Sequence, residues 1–73
     1  METIPVPHLP NAFRCALEMF AASGDRTKAR LMALIDHYLK ACGLAEDPHR
    51  SVYEECAVAH AKRMYSLGAA QGF

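Results

Sequence analysis

The residues in this chain best equipped for chemistry are its thiols and imidazoles, and one pair has a meaningful spacing. Cys56 and His60 stand four positions apart, which on a helix places both side chains on one face. An imidazole in that position can lower a thiol's pKa and create a nucleophile. Thiolate and imidazole are also preferred zinc ligands, and Cys15, Cys42 or His49 would have to complete such a set. Neither use is expected. Nucleophilic catalysis requires an accessible thiol, an oriented base and an oxyanion site, whereas this pair falls among apolar neighbours, where a small buried thiol beside a packed histidine is the simpler arrangement. Cys15, Cys42 and Cys56 are odd in number and widely spaced, with no C-x-x-C pair, so neither a disulfide framework nor a zinc knuckle is indicated. There is no H-E-x-x-H motif and no phosphate-binding glycine loop. No catalytic residue, metal or cofactor is assigned.

The second group of interest is basic. Arg26, Arg30 and His37 fall on the predicted polar side of the middle helix, with Ala29 and Ala33 keeping that surface low. Such a strip suits an acidic protein surface or a phosphate backbone, and these three residues are the predicted partner-binding set. A nucleic-acid partner, read by Arg26, Arg30 and nearby Lys28, is the second choice. Eight basic side chains balance eight acidic ones, so no global field draws the chain to a polyanion. Pro7-His8-Leu9-Pro10 formally matches the P-x-x-P ligand pattern, but Pro10 is better explained as helix-start chemistry.

The elements that position these residues are helical. Pro5, Pro7 and Pro10 forbid regular helix at the start, and residues 1–8 are expected to form an extended arm ahead of a single domain over 9–73. Phe13, Ala16, Leu17 and Phe20 recur at helical spacing opposite Arg14 and Glu18, predicting a helix over about 10–23, with Gly24 as left-handed terminator. Asp25 is the expected cap of a second helix over about 25–42. There Leu31, Leu34, Ile35, Tyr38, Leu39 and Cys42 share one side, while Asp36 and Lys40 form an i,i+4 pair worth roughly 0.3 kcal/mol. Gly43 and Leu44 have the makings of a Schellman turn. Asp47-Pro48 then opens a third helix over about 48–70, with Ser51 and Glu54 as a competing capping box. Its apolar side carries Tyr53, Cys56, Ala57, His60, Ala61, Met64 and Leu67.

Short connections make sequential helices antiparallel. The expected architecture is therefore all-α: a small three-helix domain in which the second and third helices pair as an antiparallel hairpin with the first laid across them. A chain of 73 residues buries only about 60% of its unfolded surface, and small domains commonly recruit extra burial by association. Met19, Met32, Val58 and Tyr65 lie at the edges of the core stripes and are the predicted self-association residues, completing the core in a homodimer. Val52 is a further apolar residue on a polar side.

Hydrophobic residues at 52% and charged ones at 22% give globular composition. There is no signal-peptide pattern and no apolar run long enough to span a bilayer, so a cytoplasmic location without membrane association is expected. The functional expectation is a non-catalytic helical module that acts as an adaptor, regulator or inhibitor by binding a partner protein. A nucleic-acid-associated transcriptional regulator is the alternative.

Overall fold

The computed structural model describes residues 4–73, and every element among them is helical. A single 3-10 turn, Val6–His8, precedes α1 (Asn11–Ala22), α2 (Lys28–Ala41) and α3 (Arg50–Met64), and a second 3-10 turn, Ala69–Gln71, follows. No helix among the described residues is long and apolar enough to cross a membrane.

Residues 4–9 are folded onto the domain instead of standing off it. Ile4 and Val6 pack against the core and Leu9 is only 3% exposed; residues 1–3 of the predicted arm lie outside the described residues. Burial of Leu9 also removes the centre of the P-x-x-P pattern from any ligand. Pro10 then sits at the cap of α1, where its carbonyl accepts from the Phe13 and Arg14 amides at 3.0 and 3.3 Å. A proline there loses nothing, because its position needs no intrahelical donor.

The predicted apolar side of α1 is buried as expected: Phe13, Ala16, Leu17 and Phe20, joined by Ala12. The helix ends at Ser23 in an extended conformation. The predicted left-handed terminator, Gly24, is not among the positive-φ residues. A relay of side-chain turns carries the chain onward. Ser23 Oγ accepts from the Asp25 amide at 3.1 Å and Asp25 Oδ1 from the Thr27 amide at 3.1 Å. Thr27, not Asp25, caps α2, its Oγ1 accepting from the Arg30 amide at 3.2 Å. Asp25 spends its carboxylate on the turn, which delays the helix start.

Leu31, Ile35 and Leu39 form the fully buried ridge of α2. Cys42, assigned to that side from the sequence, is instead exposed at the helix end. The Schellman turn forms as read. The Leu44 amide reaches the Leu39 carbonyl at 2.8 Å, Gly43 has φ +72°, and Leu44 packs on the core. Asp47 Oδ1 then accepts from the His49 amide at 2.8 Å, so Asp47-Pro48 makes a turn ahead of α3 and the helix begins at Arg50.

At its far end α3 stops at Met64, well before the predicted limit near residue 70. The stop is a second Schellman turn: the Leu67 amide bonds the Lys62 carbonyl at 2.9 Å, and Ser66 takes the left-handed position at φ +51°. A non-glycine residue there costs about 1–2 kcal/mol. Burial of Leu67, 9% exposed, offsets that cost. Met64, placed in the core stripe by periodicity, is left 59% exposed because the helix ends before anything covers it.

The closest packing is between α1 and α2, while α2 and α3 approach each other sparingly. Ala12 and Ala16 on α1 are fully buried, and small side chains let helix backbones draw near. Phe13 and Phe20 fill the remaining space against Leu31, Ile35 and Leu39.

Candidate functional site

The sparing contact between α2 and α3 leaves an open groove of about 410 Å³. Its apolar floor is Met32 from α2, Val58 and Ala59 from α3, and Phe73 from the returning C-terminal segment. Lys28 and Lys62 edge one part of it; Ser51, Glu54 and Glu55 edge another. The two ends of the helices explain this charge order. Ser51, Glu54 and Glu55 come from the N-terminal half of α3, and Lys62 comes from its last turn, where a cation suits the negative end of the helix dipole.

A polar cluster ties α2 to the start of α3. The Arg50 guanidinium donates to Glu54 Oε1 at 2.7 Å, to the Ala45 carbonyl at 3.0 Å and to Asp36 Oδ1 at 3.4 Å. Asp36 also takes Lys40 at 2.9 Å, the i,i+4 pair expected from the sequence. Hydrogen bonding to Lys40, reinforced by the charges of Lys40 and Arg50, holds the Asp36 carboxyl below the ordinary carboxylate range, against the opposing cost of partial desolvation. The Glu54 hydrogen bond does the most to raise the Arg50 pKa still further, so its charge is permanent.

The C-terminal segment closes one end of the groove. Gly68 and Gln71 exchange bonds, the Gly68 amide reaching Gln71 Oε1 at 2.9 Å, and the Phe73 amide returns to the Gly68 carbonyl at 3.0 Å. Gly72 turns in the left-handed region at φ +86°, and a side chain there would meet Lys28 Cβ at 3.6 Å. Residues 68–73 are thus laid against the start of α2.

The structure divides the predicted self-association residues. Met32 and Val58 line the same groove. Met19 is exposed on α1, at 46%, and is not part of that lining. Tyr65 is used internally: its ring stacks edge-on to Phe20, with centroids 5.8 Å apart, and carries the Arg26 guanidinium 3.7 Å above its centre.

The predicted partner-binding set is divided in the same way. Arg26 lies ahead of α2 and is drawn inward, with its guanidinium 5.5 Å from the Phe20 ring centre and donating to the Ala21 carbonyl at 3.0 Å. It bridges the end of α1 to the end of α3. Arg30 and His37 remain exposed on α2, His37 lying edge-on to Tyr38 at 5.1 Å.

Cys56 is buried at 7% exposure, which limits access to its thiol, and His60 is half-buried beside it on α3. All three cysteines are unpaired with one another. Among the described residues no group of three His, Cys, Asp or Glu side chains is gathered closely enough to hold a metal ion. A second depression, about 370 Å³ between α1 and the Val6–His8 turn, is edged by Arg14, Glu18 and His60.

Sequence reasoning missed the groove's charged rim and the Arg50 cluster. A signal was present for the rim. Glu55 and Lys62 are seven positions apart, two full helical turns, and therefore share one face with Val58 and Ala59 between them. No protein-family model matches the chain, and no curated protein or solved structure is significantly similar to it. The functional reading rests on geometry.

Proposed function

We propose that this chain is a small non-catalytic helical module that acts by binding another protein, as an adaptor, regulator or inhibitor, and that it does so as a self-associated unit. The observation that carries this reading is the α2–α3 groove, an apolar floor of Met32, Val58, Ala59 and Phe73 framed by charges of both signs. An apolar strip rimmed by polar groups is the usual form of a protein-binding surface. Covering the apolar area that Met32, Val58 and Phe73 still expose would be favourable, at about 25 cal/mol per Å². In this reading α2 and α3 form the antiparallel hairpin expected from their short connection, and a second copy completes the core. Exposed Arg30 and His37, on the outer side of α2, are then the surface offered to the partner.

The test has two readouts. Sedimentation velocity of the purified chain should show a species larger than the monomer at high micromolar concentration, and a strict monomer there refutes self-association. Capture from the native cell with the wild-type chain and with an Arg30→Glu/His37→Glu variant should recover a protein that the variant loses. Recovery of nucleic acid in place of a protein would favour the regulator reading.

A further inference from the structure

We infer that the α2–α3 groove is the seat of a second copy of this chain, with α3 of one copy lying antiparallel to α3 of the other about a two-fold axis between Val58 and Ala59. The inference rests on the self-association reading above and specifies its surface, orientation and register.

The argument begins with charge order along α3. Glu55 and Lys62 share one face and lie about 10.5 Å apart along the axis, at 1.5 Å per residue. Both are exposed and both edge the groove. Among the described residues neither forms an ion pair, whereas Glu54 is taken by Arg50. A helix face that is acidic at one end and basic at the other is complementary to itself when reversed. A parallel or head-to-tail neighbour would not pair both ends at once, but a two-fold axis does.

The register follows from the same residues. Setting Glu55 against Lys62 of the second copy places Val58 against Ala59 and repeats both pairings by symmetry. A branched side chain then meets a methyl group twice, which lets the helices approach closely. Met32, across the groove from Val58, lies alongside the incoming helix and gains the apolar cover that its own chain does not supply.

The symmetry makes a specific test possible. Glu55→Lys and Lys62→Glu each alter an exposed side chain, and circular dichroism should show both variants folded. Alone, each variant sets like charges together twice per dimer, and its dimer should be weaker by on the order of tenfold in sedimentation equilibrium at low salt. Mixed in equal amounts, the two variants form a heterodimer in which every facing pair is again opposite in sign, and wild-type affinity should return. The double variant Glu55→Lys/Lys62→Glu should also recover. A wild-type chain that stays monomeric overturns both this inference and the self-association reading. A wild-type dimer that neither single variant weakens, or that mixing does not restore, overturns this face and register alone.

Discussion

The two sides of α2 are built on opposite principles. Toward α1 the contact is dry and dense: Leu31, Ile35 and Leu39 meet Phe13 and Phe20 across fully buried alanines. Toward α3 it is held by the Asp36–Arg50 ion pair and opens into a groove. Side-chain volume accounts for the difference. α1 supplies two phenylalanines to the core, while the fully buried positions of α3 are Ala57 and Ala61. An alanine surface fills little space, so the third helix is anchored at its ends and left unsealed along its length. The lesson is that one helix can be sealed as a structural wall on one side and left open along a groove on the other.

The largest expected effect lies on the dense side. Phe20→Ala empties a fully buried position and removes one face of the Arg26 stack. A loss of about 3–5 kcal/mol is expected in urea denaturation, enough to unfold much of a domain this small. A variant that keeps a wild-type midpoint would show that α1 and α2 are not the core. Next comes Arg26→Ala, which removes a cation–π contact with Tyr65 and a bond to the Ala21 carbonyl. It should cost about 1–2 kcal/mol, with Arg26→Lys recovering only part.

Met32→Ser probes the open side. The residue is half-buried at the groove, so monomer stability should fall by less than about 1 kcal/mol, while self-association weakens. A loss as large as that from Phe20→Ala would mean that the groove is closed in solution. The smallest effect is electrostatic. Because the Asp36 carboxyl is held below its ordinary range by Lys40 and Arg50, its contribution is complete above the unfolded carboxylate pKa and is lost as pH falls through the lowered folded value. Acid titration of stability should therefore be slightly shallower in Asp36→Asn than in the wild type. Salt should narrow the difference, since the pair is exposed.

What could be read from the sequence follows the range of the interactions involved. The all-helical class, the buried faces of α1 and α2 and the Gly43-Leu44 turn depend on neighbours within a few positions, and periodicity exposes them. The cap of α2 was missed by two residues because Asp25 and Thr27 are both competent acceptors, and only the Ser23–Asp25–Thr27 relay decides between them. The end of α3 was missed because its left-handed position is filled by Ser66, a residue that carries no such signal, and the turn is stabilised by burial of Leu67. Arg26 and Tyr65 were assigned to surfaces because periodicity treats a cation and an edge tyrosine as solvent-facing. Their contact joins positions far apart in the chain, which no local pattern reports. The groove itself was legible only as apolar residues left over, since its walls come from α2, α3 and the C-terminal segment together.

The bridge made by Arg26 has a consequence for the order of folding. α1 and α2 are adjacent in sequence, and closing the short loop between them costs little entropy. Phe20 and Tyr65 are separated by most of the chain, so the contact of Arg26 with Tyr65, beside the Phe20–Tyr65 ring pair, requires α3 to be in place. That contact is therefore expected to form late, after α1 and α2 assemble. Contacts of that kind govern how long the native state persists more than how quickly it is reached. The guanidinium lying over Tyr65 thus acts as a latch on the finished domain, and loosening it should shorten the native lifetime while leaving the folding rate nearly unchanged.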